Sequence, residues 1–340
     1  MNHLLKEGPL LNEKGNLVEA GYSTQLIKKY NRKDIKANKL KIKEWDYYYV
    51  GNDKYGIALT VGDNSYIASI SVSFLDFTKP SQITKSKMLL FTMGKLNLPS
   101  TSVVGDVIVN KKGCTFKFLI EGDKRHLIVN YPKFDNNKEF KCDIYLKQTN
   151  RDSMVIATPF NKPKHFYYNQ KINLLLGSGT VTIGDTNYDF NNTYGVLDWG
   201  RGVWTYKNTW YWSSLNSVIN NKPIGFNLGY GFGDTSASSE NMFFYNDRSY
   251  KLDDVIFDIP KDKKGRDDFL SPWRIYSKDQ RIDLIFTPII NRSAHMSVLV
   301  IKSIQDQVFG TFKGTITINN DEKIEIPNLL GFAEKVTNHW

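Results

Sequence analysis

The feature that most constrains the fold is a period of two. In "CTFKFLIEG", residues 114–122, Phe116, Phe118 and Ile120 fall on one side of an extended chain, and Thr115, Lys117 and Leu119 on the other. That alternation suits a half-buried antiparallel strand. The same texture recurs in "WDYYYVGNDKYGIALTVGDNSYIASISVSFLDF", "EFKCDIYLKQT", "GSGTVTIGDTNYDF", "WRIYSKDQRIDLIFTPI" and "QVFGTFKGTITINNDEKIEI". These runs are bounded by Gly, Asn and Asp and return about every 8 to 12 residues without intervening helices. Antiparallel sandwiches or barrels follow, and βαβ units do not. An aromatic content of 14 % with abundant Val, Ile and Thr points the same way.

A chain of 340 residues exceeds one ordinary core, so two β-barrel-like halves are expected, residues 1–185 and 186–340. One helix is expected before them. In "STQLIKKYNRKDIKA", residues 23–37, Leu26, Ile27, Tyr30 and Ile35 stand at helical spacing behind a Ser/Thr cap.

Charge and special residues exclude several classes. The net charge of +10 arises from 45 basic and 35 acidic residues interspersed along the chain, without the basic stripe or module that nucleic-acid binding requires. Cys114 and Cys142 form no CxxC pair and read as buried thiols. His3, His126, His165, His295 and His339 show no HxH or HxxxH spacing, so neither a metal nor another cofactor is expected. His165 and His295 are open to acid–base or structural roles. There is no GxSxG elbow or papain-like cysteine signature. No apolar run has signal-peptide length or the roughly 18 residues needed to span a bilayer, so a soluble cytoplasmic protein is expected.

Chemistry concentrates in "YGVLDWGRGVWTYKNTWYWSS", residues 194–214, which holds Trp199, Trp204, Trp210 and Trp212 among Tyr194, Tyr206 and Tyr211. Rings with polar handles suit the wall of a ligand cavity, because buried Trp N–H and Tyr O–H groups need partners. A tryptophan-rich core seam is the other reading. Asp198 and Arg201 flank Trp199 and Gly200 in an expected tight turn. They can form a structural ion pair, or Asp198, desolvated among the rings, can become a proton donor. A second polar group lies in "GYGFGDTSASSENMFF", residues 229–244, where Tyr230, Glu240 and Asn241 are candidates for pointing inwards; a bulge or barrel-mouth loop is the alternative. The terminal "GFAEKVTNHW" either returns Glu334, Asn338 and Trp340 to the cavity or plugs a barrel end.

The stretches "GPLLNEKGNLVEAGYST", "GVLDWGRGVWTYKNTWYWSS", "GFNLGYGFGDTSASSENMFFYN", "SPWRIYS", "QVFGTFKG" and "GFAEKVTNHW" resemble the bacterial domain-of-unknown-function family numbered 2804 over almost the whole chain. More remotely, the Trp/Asp motif is similar to that of a superfamily with two lipocalin-like barrels, which contains carotenoid hydratases and AttH-like proteins. The resemblance implies two tandem lipocalin-like antiparallel β-barrels and an acid, carried over to Asp198, that protonates an alkene beneath Trp199 and Trp204. Cation–π contact would lower such a cation by about 0.5 to 2 kcal/mol per ring. This sequence departs from the relatives in "DWGRG", where Arg201 replaces an acidic or polar residue and would hold a paired Asp198 ionised.

The expected protein therefore handles an apolar or lipid-like small molecule in a Trp-lined cavity near the barrel junction, by metal-free hydratase-, isomerase- or cyclase-like acid–base chemistry. Asp198, Arg201 and Glu240 are its candidate catalytic residues, and Tyr194, Trp199, Trp204, Trp210, Trp212, Tyr230 and Asn241 its candidate ligand contacts. A non-catalytic carrier or sensor, and a structural protein with a filled core, are the alternatives.

Overall fold

The computed structural model describes residues 2–298, 301–318 and 321–339. Its regular structure is almost entirely β-strand, in two compact units, Leu4–Trp204 and Thr205–Trp340, the latter joined by Met1–His3.

The backbone of the first unit is an antiparallel sheet in the spatial order Ser81–Leu90, Ile67–Asp76, Tyr55–Asp63, Ile42–Gly51, Thr193–Val203, Phe166–Ile183, Lys138–Gln148, Lys124–Asp135, Cys114–Glu121, Val107–Lys111. It curls until its ends approach. Lys112 Nζ donates to the Met88 carbonyl at 2.7 Å, and Lys87 Nζ lies 5.7 Å from the Tyr131 ring centre. A register shift between Ile172 and Leu175 bends the long central strand, with Leu174 at φ 59°, as a bulge does. The alternation read from the sequence holds: Phe116 and Phe118 enter a core with Val50, Leu59, Ile144 and Leu146.

The second unit is a curled nine-stranded antiparallel sheet in the order Arg248–Lys251, Met242–Tyr245, Lys222–Tyr230, Lys207–Ile219, Lys323–His339, Ile301–Thr317, Ile282–Val298, Trp273–Ser277, Val255–Asp258. Phe226, Trp273, Phe286 and Phe312 fill its interior. The two sides meet where the Phe257 N–H donates to the Tyr230 hydroxyl at 3.4 Å. In both units two-residue turns set the register. Asn136-Asn137, Asn220-Asn221 and Asn246-Asp247 each have both φ values positive and join directly paired strands, the geometry that matches strand twist and favours Asn and Asp.

Two expectations are corrected. The units divide at Trp204/Thr205, not at 185/186, because Thr193–Val203 pairs with Ile42–Gly51 on one side and Phe166–Ile183 on the other. The helix expected over 23–37 forms only a 3-10 turn at Arg32–Asp34, capped by the Asn31 side chain. Tertiary bonds hold the rest extended: Ser23 pairs with Val155, Lys28-Lys29 with Gly8-Pro9, and the Tyr168 hydroxyl donates to the Lys28 carbonyl at 3.1 Å. Leu26, Ile27, Tyr30 and Ile35 still reach the core, so packing satisfies the apolar pattern without a helix. Among the described residues no helix is long and apolar enough to cross a membrane.

Candidate functional site

The "DWGRG" segment is not a turn. It lies inside the strand Thr193–Val203, where residues three apart face opposite sides, so the expected Asp198–Arg201 ion pair does not form. On one face, Asp198 meets its directly opposite neighbour Lys171, with Nζ at 2.8 Å, and accepts from Asn169 Nδ2 at 2.6 Å. Gly200 and Gly202 share that face. A Cβ on Gly200 would sit 1.9 Å from a ring carbon of Trp45, so the glycine makes room for an indole that stacks on Tyr167 at 6.0 Å and meets Trp204 edge-on at 5.3 Å.

On the other face, Arg201 is fully buried and uses every N–H. Nη2 pairs with Asp46 Oδ1 at 2.9 Å, Nη1 donates to the Trp45 and Gly200 carbonyls, and Nε and Nη2 converge on the Pro99 carbonyl. The guanidinium also lies 4.3 Å from the Trp199 ring centre. Burial pushes the Asp46 carboxyl up, and Arg201 opposes that shift.

Glu44 precedes Asp46 by two residues and so shares its face; its Cα partner across the ladder is Arg201. One Glu44 oxygen accepts from the Tyr30 hydroxyl at 2.7 Å, and the other is bound by the Arg32 guanidinium. Burial first, then the Glu44 charge, raises the Tyr30 phenol well above its usual range, so it stays a neutral donor. These three residues line a recess of about 660 Å³ whose apolar walls include Ile35, Ile42 and Leu98. The segment carrying Leu98 is tied to the interior: Arg201 takes the Pro99 carbonyl, Arg125 Nη2 takes the Ser102 carbonyl at 3.1 Å, and the Ser102 hydroxyl donates to Gln170. A concave site with apolar walls and a few convergent polar groups is the form of a small-molecule pocket.

The remaining sequence candidates are distributed between the units. Trp199 is core, edge-on to Tyr168 at 5.7 Å and to Tyr30 at 6.4 Å. Tyr194 is half-buried near the other end of its strand. Trp210 and Trp212 belong to the second unit. Trp210 Nε1 donates to Glu334 at 3.1 Å, and Trp212 Nε1 to Asn227 at 2.7 Å, so neither unit by itself forms a wall of four tryptophans. Asn227 in turn donates to the Glu240 carbonyl at 2.6 Å, and Asn241 accepts from the Gly229 N–H at 2.7 Å, which groups Trp212, Glu240 and Asn241. Tyr230 stacks on Tyr211 at 4.5 Å. His165 Nδ1 bonds the Pro163 carbonyl at 2.9 Å and burial lowers its pKa; His295 contacts Asp306 at 3.2 Å. Glu334 binds Gln307 and Trp210, Asn338 accepts from Ser303, and Trp340 lies outside the described residues. Among the described residues no group of three or more His, Cys, Asp or Glu is arranged to hold a metal ion.

Sequence reading took Tyr30 only as part of an apolar pattern and passed over Arg32, Glu44, Asp46, Asn169 and Lys171. One signal was available for two of them: in "IKEWDYYYV", period two puts Glu44 and Asp46 on the face of Tyr48 and Val50, which marks buried acids in need of partners.

Two curled antiparallel sheets, consecutive in the chain and each wrapped around its own core, define the class of tandem lipocalin-like barrels. Kievitone hydratase from Nectria haematococca has this fold, with a TM-score of 0.53 at 12% identity over 87% of this chain and 88% of that one. An AttH-like protein of Nitrosomonas europaea superposes with a TM-score of 0.54 at 12% identity over 90% and 95% of the two chains. No curated protein sequence matches. The chain belongs to the family described as "Domain of unknown function (DUF2804)", which it matches over residues 2–340.

Proposed function

We propose that this protein binds a small molecule with an apolar body at the mouth of its first barrel and transforms it by proton transfer. The observation that carries the reading is the recess of about 660 Å³ floored by a buried carboxylate, Glu44, shared between Tyr30 and Arg32. Glu44 is the proton acceptor, neutral Tyr30 holds that carboxylate in place with its one O–H, and Arg32 is the counter-charge. Ile35, Ile42 and Leu98 supply the surface for the apolar body. Hydratase- and isomerase-type reactions that proceed by proton transfer use such a carboxylate, and the fold shared with a hydratase supports a scaffold of this kind. Asp198, anchored by Lys171 and Asn169, acts from the opposite face of the sheet as a positioning group, and Trp199 links the two by packing on Tyr30.

A specific observation also favours a carrier without turnover: both Glu44 oxygens and every Arg201 N–H already have partners. Glu44→Gln separates the two readings. Incubated with a cell metabolite extract and followed by mass spectrometry, an enzyme loses about 100-fold or more of its conversion while ligand-induced tryptophan quenching persists. A carrier converts nothing in either form, and only its affinity moves.

A further inference from the structure

The turn that follows the edge strand Ser81–Leu90 of the first unit has an inverted burial pattern. Leu90 is 71% and Phe91 68% exposed, and Met93 is exposed beside them, whereas Thr92, the one polar side chain of the four, is buried. The usual sorting would put the apolar side chains inside and the hydroxyl outside. The inversion is built in. The Thr92 hydroxyl donates to Asp63 Oδ1 at 2.8 Å and the Gly94 N–H to Asp63 Oδ2 at 3.0 Å, so a buried carboxylate anchors the turn from within. The Phe91 and Met93 N–H groups donate to the Tyr66 and Ser65 carbonyls at 2.8 and 2.9 Å. Both residues take left-handed φ values, 52° and 51°, which side chains other than Gly and Asn enter at a cost. Apolar side chains fixed outward in this way are unfavourable in water and favourable against an apolar phase.

The surroundings of this tip are cationic. Met93 and Gly94 border the recess at Glu44 together with Arg32, Lys33 and Lys39, and both lysines are exposed. Exposed Lys95 closes the turn, its N–H donating to the Thr92 carbonyl at 2.9 Å. Exposed Lys112 reaches the strand before the turn, where its Nζ donates to the Met88 carbonyl at 2.7 Å. Residues 77–105 contain no Asp or Glu, and Asp34 is the one acid in residues 28–43. Asp63 and Glu44 are buried and turned to Thr92 and Arg32.

A protruding apolar turn ringed by lysines matches a bilayer rich in anionic lipid, whose headgroups take the ammonium groups while the apolar side chains reach the acyl boundary. A second copy of this chain, docked by two-fold symmetry, would set lysine against lysine. We infer that the tip formed by Leu90, Phe91 and Met93, with the lysines around it, is a docking surface for an anionic bilayer. Docked there, the recess mouth opens beside the phase in which an apolar molecule dissolves. That consequence rests on the reading of the recess at Glu44; the docking itself does not.

The test is cosedimentation of the full-length protein with sucrose-loaded vesicles, made either of phosphatidylcholine alone or of phosphatidylcholine with phosphatidylserine. The wild type is expected to sediment with the anionic vesicles, to bind the neutral ones at least about tenfold more weakly, and to lose affinity as salt rises. Phe91→Asn keeps a residue that tolerates the left-handed φ and removes the ring, so it weakens binding to the anionic vesicles at least about tenfold. The double variant Lys95→Gln, Lys112→Gln loses a similar factor and part of the salt dependence, again about tenfold. The assay contains no small-molecule ligand, so its result is separate from what the recess holds. A wild type that stays in the supernatant, or Phe91→Asn that binds as the wild type does, overturns the inference. So does a wild-type dimer in analytical ultracentrifugation that Phe91→Asn dissociates, which assigns the tip to a second copy. If circular dichroism shows Phe91→Asn misfolded, the lysine double variant decides, and a loss below about twofold there counts against the surface.

Discussion

At the scale of single residues, the chain's most unusual segment is explained by alternation. Asp198, Gly200 and Gly202 take one face of a strand, and Trp199, Arg201 and Val203 the other. The density of aromatics was legible in the sequence, but the ion-pair partners were not, because three-residue spacing brings side chains together in a turn and separates them in a strand. Arg201 pairs instead with Asp46, 155 positions away, a contact that only sheet register creates. Arg201→Gln leaves Asp46 buried without its cation and is expected to cost about 3–5 kcal/mol in urea denaturation; a loss below 1 kcal/mol would show that the pair contributes little. Gly200→Ala drives a methyl into the Trp45 ring and is expected to cost about 1–3 kcal/mol, with a changed Trp45 fluorescence environment as its signature.

At the scale of elements, strands and turns were legible because period two and Asn-rich turns are local signals. The helix was not, because Leu26, Ile27, Tyr30 and Ile35 satisfy a helical pattern equally well when bonds to Tyr168, Val155 and Glu44 hold the segment extended. The division between units was misplaced for a related reason: Thr193–Val203 follows the short strand Thr186–Asp189 in sequence yet pairs at the centre of the first sheet. A fragment ending at Trp204 therefore keeps both ladders of Ile42–Gly51, whereas one ending at 185 exposes two strand edges and the apolar side chains of the core. The expected outcome is a folded, soluble 4–204 fragment with a cooperative thermal transition and an aggregating 4–185 fragment. Equal behaviour of the two would contradict this account of the central strand.

At the scale of the whole molecule, the buried Lys43 and the half-buried Lys251, one in each unit, tie stability to pH. Burial lowers Lys43 to about 7 and Lys251 to about 7, although Lys251 donates to Ser239 and to the Asn241 and Leu252 carbonyls. Folded pKa values below the unfolded 10.5 mean that the native state holds fewer protons. Stability is therefore lower at pH 7 and rises towards pH 10, by at most about 1.4 kcal/mol per pH unit for each lysine. Above about pH 10 buried tyrosines such as Tyr30, whose pKa is raised, reverse the slope. Denaturation of Lys43→Met and Lys251→Met from pH 7 to 10 checks this, each variant flattening the rise.

The central claim is that the recess at Glu44 holds a small molecule, and native mass spectrometry of the purified protein tests it most directly. Before and after incubation with a cell lipid extract, the wild type is expected to carry a bound mass of a few hundred daltons that organic solvent releases. Leu98→Trp, which fills the recess, is expected to carry none while keeping its β-sheet circular dichroism. A wild type that stays bare after incubation, or a Leu98→Trp variant that binds the same mass, would contradict the assignment.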